Sequence, residues 1–295
     1  MLIKDIFSTK KPVISYEVFP PKKDSPIETI YTTLEGLQGT RPDYISVTYG
    51  AGGSTTNRTV EIASLIKNKY GIEALAHLTC ITSTTEEIDQ ILSSLKAHGV
   101  KNILTLRGDL PQDCSVCPDA TRRFRYAADL ISYIRDKGGF SLGGACYPEG
   151  HPDCGALVKD IFHLKNKIEA GLDFLITQLF FDNDKFYTFM DLAAKHGIQK
   201  IPVTAGIMPV LNTKQIQHIT ALTSATMPKK FLRIMERYEH EPEALKEAGI
   251  AYATEQIIDL LSWGIDGVHI YTMNKPEAAK KITENIAVIR KTLHR

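Results

Sequence analysis

Lys101-Asn102-Ile103-Leu104-Thr105-Leu106-Arg107-Gly108-Asp109-Leu110-Pro111 is the stretch on which the fold turns. An apolar strand, Ile103 to Leu106, runs straight into Arg107, Gly108 and Asp109, and Pro111 stops it. A buried strand that ends on charged residues and a break delivers chemistry to one end of a parallel sheet. Arg-Gly-Asp is also an adhesion tripeptide, but that use needs an exposed loop, and here it closes an apolar strand.

Working outward, the same unit recurs. Val13 to Phe19 is β-rich and ended by Pro20-Pro21, and Ile27, Ile30 and Leu34 then keep helical spacing. Tyr44 to Tyr49 is closed by Gly50, Gly52 and Gly53, with a helix through Ile62, Leu65 and Ile66. Ala74 to Cys80 leads to Thr84-x-x-Glu87, a capping box ahead of Ile88, Ile91, Leu92 and Leu95, and Gly99 marks the helix stop. After the fourth strand come a longer loop and a helix through Phe124, Ala128, Ile131 and Ile134. Phe140 to Cys146 is ended by Tyr147-Pro148, and its helix runs through Val158, Ile161, Leu164 and Ile168 to Gly171. Phe174 to Phe180 is almost continuously apolar, as a strand buried on both faces should be. Pro202 to Ile207 is ended by Met208-Pro209. The long segment beyond it contains a charged patch, Glu236 to Glu243, read as a solvated insertion between helices. Gly267 to Met273 is the eighth strand, and the closing helix sets Ile282, Ile286, Ile289 and Leu293 on one stripe.

Most strand starts are spaced by roughly 30 residues, the length of one strand-helix unit. Eight such units fit a closed (β/α)8 TIM barrel better than an open doubly wound sheet. The expectation is a single barrel domain over residues 1–295, with no second domain.

Composition narrows the function. A formal net charge of +1 gives no reason to expect nucleic acid or an anionic membrane as partner. No apolar run approaches ~20 residues and the amino terminus lacks a signal-peptide core, so a cytoplasmic protein is expected. Five cysteines, unevenly spread, argue against a disulfide framework. Asn57-Arg58-Thr59 matches a glycosylation sequon, but with no secretory signal it is a chance match. Gly50-Ala51-Gly52 lacks the third glycine of a dinucleotide fingerprint, since Thr55 stands there, and neither a Walker loop nor H-E-x-x-H occurs. No expected strand ends on a lysine suited to a Schiff base; Lys22, Lys23 and Lys275 lie just past strands, where solvated lysines and anion clamps are equally compatible. Cys114-x-x-Cys117 is half of a zinc or redox pattern, with Cys154 or His151 the nearby candidates to complete it; a loop pair without metal is the favoured reading.

In a barrel, function sits where the strands finish. Glu17, Thr48, His77, Asp109, Tyr147, Gln178 and Tyr271 lie at or near those ends. Each alone has a structural reading, as edge charge, turn cap or packed aromatic. Their recurrence at one end of seven strands points to an active site without naming a reaction.

The residues also resemble a known family. Ser15-Tyr16-Glu17-Val18-Phe19-Pro20-Pro21-Lys22, Ser46-Val47-Thr48-Tyr49-Gly50, His77-Leu78-Thr79-Cys80, Leu106-Arg107-Gly108-Asp109-Leu110-Pro111, Tyr147-Pro148-Glu149-x-His151-Pro152, Ile176-Thr177-Gln178 and Tyr271-Thr272-Met273-Asn274 are similar, in order, to methylenetetrahydrofolate reductases. The resemblance implies FAD at the carboxyl ends of the strands and ping-pong hydride transfer. NADH or NADPH would reduce the flavin, which would then reduce 5,10-methylenetetrahydrofolate to 5-methyltetrahydrofolate, in one-carbon metabolism and methionine biosynthesis.

Carried over by position, Glu17 is the general acid and Asp109 lies beside flavin and pterin. Thr48, His77, Arg107, Gly108, Tyr126, Ala127, Ala145, Tyr147 and His151 fall on flavin contacts. Asp160, His163, Asn166 and Lys167 fall toward the cofactor's ribose and pyrophosphate end, and Gln178, Tyr271 and Lys275 on the folate. The chain departs from the family pattern at His163, Asn166, Thr213 and Lys275, where asparagine, arginine, an aromatic and arginine are usual; Lys275 can pair with a carboxylate, but without a bidentate fork. No metal is implied, and a homo-oligomer is expected.

Two expectations concern charge. Ile14, Val18 and Phe19 around Glu17 would raise its pKa, and an ionised Asp109 across the site would raise it further. Asp109 would also disfavour anionic reduced flavin and strengthen it as a hydride donor. The alternatives are a catalytic subunit supplied with electrons by a partner protein, and a flavin-free pterin-binding barrel methyltransferase.

Overall fold

Strands and helices alternate from Val13 onward and the sheet closes on itself. The computed structural model describes residues 1–21, 25–49, 56–109, 123–222 and 225–293. Among these, β1 (Val13–Val18), β2 (Tyr44–Val47), β3 (Glu73–Thr79), β4 (Asn102–Leu106), β5 (Ser141–Cys146), β6 (Phe174–Thr177), β7 (Val203–Ile207) and β8 (Gly267–Tyr271) pair in sequence order as a closed barrel. Every pairing is parallel, including the β1–β8 seam, where Ser15 lies opposite His269 and Glu17 opposite Tyr271. The expected (β/α)8 barrel is the fold.

Helices α1 (Ile3–Thr9), α2 (Thr29–Gln38), α3 (Thr56–Asn68), α4 (Thr85–Ala97), α5 (Ala127–Lys137), α6 (Leu157–Glu169), α7 (Asn183–Lys195), α8 (Thr213–Leu222), α9 (Lys229–Arg237), α10 (Pro242–Trp263), α11 (Pro276–Asn285) and α12 (Ala287–Leu293), with a short 3₁₀ turn at Pro152–Cys154, complete the described elements. Thr84 and Glu87 form the expected capping box at the start of α4. Glu236 to Glu243 spans the exposed turn from the end of α9 to the start of α10, as expected.

Strand alternation sorts β1 into two faces. Ile14, Tyr16 and Val18 join the apolar layer under the helices, and the Tyr16 hydroxyl meets Thr283 Oγ1 on α11 at 2.6 Å. Ser15 and Glu17 point into the barrel. The amino-terminal half of the interior is apolar: Val13, Tyr44, Leu75, Leu104, Phe174 and Ile176 cluster with Ile3, Ile6 and Phe7 of α1. Helix α1 thus plugs the barrel floor, and the buried Asn102 anchors it by accepting the Ile3 N–H at 2.8 Å. The sequence reading missed this helix, because seven residues are too few to show a helical period.

Three aspartates, each just before a strand, stitch the barrel's amino-terminal rim. Asp43 before β2 accepts the Ile14 N–H, Asp173 before β6 the Leu142 N–H, and Asp266 before β8 the Val203 N–H, at 2.7, 2.8 and 2.9 Å. Each carboxylate ties the start of one strand to its predecessor.

Other expectations need correction. The sixth strand ends at Thr177, not Phe180; the apolar run continues because Leu179 and Phe181 enter a separate cluster with Val210, Ile219, Phe231, Met235 and Leu245. Phe124 is buried against Tyr133 but precedes α5. Val158, expected on the inner face of α6, is exposed. The closing helix breaks at Ile286, so Ile282 and Ile286 are buried whereas Leu293 is exposed. Cys114, Cys117, Lys22, Lys23 and the glycines at 50, 52 and 53 lie outside the described residues.

Candidate active site

The carboxyl ends of the strands open on a cleft of ≈ 220 Å³. Arg107 and Asp109 beyond β4 and the loop after β5, from Tyr147 to Asp153, form one wall. Gln178 and Leu179 beyond β6 and Ala225 from the α8–α9 connection form the other.

Below the mouth lies a polar layer. Glu17 is 6% exposed. Its Oε2 is 3.4 Å from His77 Nε2 on β3, 3.6 Å from His269 Nε2 on β8, and accepts from the Ser46 hydroxyl of β2 at 3.4 Å. His269 is fully buried, with Nδ1 2.7 Å from the Ser15 hydroxyl. Burial opposes the charge on Glu17, but His269, His77 and Ser46 together outweigh it and hold the carboxyl below its usual value. Burial pushes His77 down to about 4, against the attraction of Glu17 and with a push from His269.

This reverses the expectation of a raised Glu17. Ile14 and Val18 are its neighbours in sequence but face the helices, whereas its side chain points into the barrel and meets two imidazoles and a hydroxyl from strands on either side of β1. Asp109 is exposed on the rim and is not among the groups that set the charge of Glu17. Ser15, Ser46 and His269 were not assigned roles from sequence, although the spacings Ser15-x-Glu17 and His269-x-Tyr271 carried the signal, since alternate strand residues share a face.

At the end of β4 the Arg107 carbonyl accepts the N–H groups of Cys80 and Ile81 at 3.2 and 2.9 Å, and its guanidinium pairs with Asp153 at 3.0 Å. Gly108 has φ +83, and a Cβ there would stand 2.9 Å from the Thr79 Cβ, so the chain turns here with bare backbone at the rim. Tyr147 and His151 meet edge to face, ring centres 4.7 Å apart, and burial pushes the Tyr147 phenol up to about 12. His151 donates its N–H to Asp160 at 3.2 Å.

Lys167, one helical stripe along α6 from Asp160, donates to the Ala145 carbonyl at 2.6 Å, and burial lowers its pKa. His163 and Asn166 are exposed on the same helix. Tyr126 is exposed beside Ala127 at the start of α5. Thr48 continues from β2, its N–H bonded to Val18 and its carbonyl to the Thr59 hydroxyl.

Gln178 donates its N–H to the Cys146 carbonyl at 2.7 Å, and its side-chain oxygen accepts from Leu179. The Tyr271 hydroxyl donates to the Thr177 carbonyl at 2.8 Å across Gly206, where a Cβ would stand 2.4 Å from that carbonyl oxygen. Thr272 and Asn274 extend the β8–β1 seam: the Thr272 hydroxyl donates to the Glu17 carbonyl at 2.6 Å, and the Asn274 amide exchanges two hydrogen bonds with the Phe19 backbone. Lys275 follows, exposed, at the start of α11. Of the further ligands considered for the cysteine pair, Cys154 is a free thiol, and no cluster fit for a metal occurs among the described residues. No helix among them is long and apolar enough to cross a membrane.

Fold and mouth together define a parallel (β/α)8 barrel that gathers ionisable and aromatic side chains at the carboxyl ends of its strands. Residues 2–287 match the family model for methylenetetrahydrofolate reductase. A 5,10-methylenetetrahydrofolate reductase of Pectobacterium carotovorum is 35% identical over 93% of this chain and 90% of its own length. Methylenetetrahydrofolate reductase (NADH) 1 of Arabidopsis thaliana is 34% identical over 97% of this chain, which spans 50% of that longer protein. The chain therefore belongs to the methylenetetrahydrofolate reductase family. A solved structure from Clostridium thermocellum, described as an uncharacterized protein that binds two copies of 5-methyl-5,6,7,8-tetrahydrofolic acid, shares the fold with a TM-score of 0.67 at 15% identity, covering 98% of this chain and 100% of its own.

Proposed function

We propose that this chain reduces 5,10-methylenetetrahydrofolate to 5-methyltetrahydrofolate with FAD as resident cofactor and NADH or NADPH as electron donor. The carrying observation is Glu17, a buried carboxyl held below the cleft by His77, His269 and Ser46 from strands on either side of β1. A site of this kind can present one proton to a ligand seated above it.

Three features support a flavin at this mouth. The buried His77 Nε2 makes no hydrogen bond among the described residues. Gly108 leaves bare backbone on the rim, open to a flat ring. Lys167 is a partly buried cation whose charge an anionic group would favour. Arg107, Gly108, Asp109, Tyr147 and His151 would hold the ring system; Thr48, Tyr126, Ala127 and Ala145 would flank it; Asp160, His163, Asn166 and Lys167 would meet the ribose and pyrophosphate. Bound there, FAD supplies a hydride relay between a reduced nicotinamide and the methylene carbon of the folate.

The protein's own work is orientation and one proton. Gln178, Tyr271 and Lys275 position the folate, and Glu17 delivers the proton that opens its five-membered ring. Glu17 is charged at neutral pH in the free chain, so a neutral pterin that seals it from water raises its pKa and loads the acid. Asp109, on the rim, acts on the charge of the reduced ring system.

The test is anaerobic. NADH or NADPH should bleach the yellow protein, and methylenetetrahydrofolate should restore the colour. Glu17→Gln should keep the first half-reaction and lose the second by at least about a hundredfold. A wild-type protein that bleaches but is not reoxidised by the folate sinks the proposal; failure of the bleaching step alone redirects the donor to a partner protein.

A further inference from the structure

The two walls of the cleft belong to different parts of the fold. The wall of Arg107 and Tyr147 to Asp153 rises from β4 and β5. The opposite wall rests on a distinct apolar cluster, in which Leu179, Phe181, Val210, Phe231, Met235 and Leu245 are buried and Met227 and Tyr271 pack against them. Cleft width therefore depends on how this second unit sits against the first.

Glu149 spans the gap. Tyr147-Pro148-Glu149-Gly150 is a tight turn, with the Gly150 N–H donating to the Tyr147 carbonyl at 3.0 Å, and proline in its second position presets the backbone. The turn projects the Glu149 carboxylate toward the α8–α9 connection. There Thr226 donates its backbone N–H to Oε1 and Oε2 at 2.9 and 3.0 Å, and its hydroxyl also donates to Oε2. Hydrogen bonds to an ionised acceptor are about twice as strong as neutral ones. No basic side chain pairs with Glu149 in an ion pair among the described residues. The carboxylate is spent on joining the two walls.

We propose that Glu149 is a positioning residue that clasps the α8–α9 connection through Thr226 and sets the width of the cleft. This rests on the reading that reduced nicotinamide and folate use that cleft in turn, and both should feel the clasp. Glu149→Ala should raise KM for both substrates roughly tenfold while kcat stays within about threefold. Glu149→Gln can still accept the N–H and donate to the Thr226 oxygen, so it should recover to within about threefold of wild type. Thr226→Val, which keeps the N–H and loses the hydroxyl, should fall between the two.

Hydrogen exchange gives a second readout, independent of the reaction. Amides of residues 225–237 should exchange faster in Glu149→Ala than in wild type, and those of β1 should not. Unchanged exchange at 225–237 overturns the clasp, as do unaltered KM values in both Glu149→Ala and Thr226→Val. If Glu149→Ala fails to fold, Thr226→Val decides by the same two measurements. If wild type never turns over methylenetetrahydrofolate, the proposed function fails while the exchange comparison still judges the clasp.

Discussion

Glu17 and His77 face each other in a setting that favours the charge of one and opposes that of the other. His77 titrates near 4 in the folded chain, against 6.5 when unfolded, so the unfolded chain takes up the proton first as pH falls. The stability contributed by neutral His77 is complete above about pH 6.5 and is lost as pH drops toward 4. Glu17 acts in the same direction, its contribution present above its unfolded value and lost as pH falls through its depressed folded one. Urea unfolding should show a loss on the order of 1–3 kcal/mol from His77 between pH 6.5 and 4. His77→Gln should flatten that part of the profile; an unchanged slope would remove His77 as its source. Asp109, out on the rim, should act on the flavin and not on Glu17. Asp109→Asn should raise the flavin midpoint potential, read by anaerobic dye titration, and leave the pH profile of folate reduction in place.

At the level of elements, the barrel closes through side chains placed just outside its strands. The Asn274 amide grips both backbone groups of Phe19 at 2.8 and 2.9 Å, beyond the last β8–β1 pair, and Met273 and Asn274 adopt left-handed backbone to allow it. Asn274→Ala should cost about 1–3 kcal/mol in chemical denaturation, because it leaves two partly buried backbone groups unpaired. The same change should loosen Glu17, whose carbonyl is held by the neighbouring Thr272. A variant of full stability would place the seam's strength in the strands alone. Tyr271-Thr272-Met273-Asn274 was legible as a strand end carrying a site. That two of its side chains lock the barrel shut was not, since their partners come from the first strand of the chain.

In the whole molecule, stability and function divide along the barrel axis. The floor is sealed by α1, with Phe7 against Phe174 at 5.6 Å, far from the ionisable residues at the mouth. Phe7→Ala should cost about 3–5 kcal/mol in unfolding free energy and leave KM for both substrates unchanged. A KM shift comparable to that of Glu149→Ala would mean that floor and mouth are coupled.

The amino-acid sequence by itself determined the repeat of apolar strand, break and helix, and with it the parallel barrel and the end at which Glu17, His77, Asp109, Tyr147, Gln178 and Tyr271 gather. That much is local, because each strand's apolar run and terminal polar residue are adjacent in the chain. Only the tertiary structure decided what those residues face. Closure brought His269 from the last strand and His77 from the third to Glu17, reversing the pKa direction read from its sequence neighbours. It also brought Thr226 to Glu149 and α1 to the barrel floor. Alternation along a strand encodes which way a side chain points, but the charge it meets there is supplied by other strands, and only the closed barrel fixes those distances.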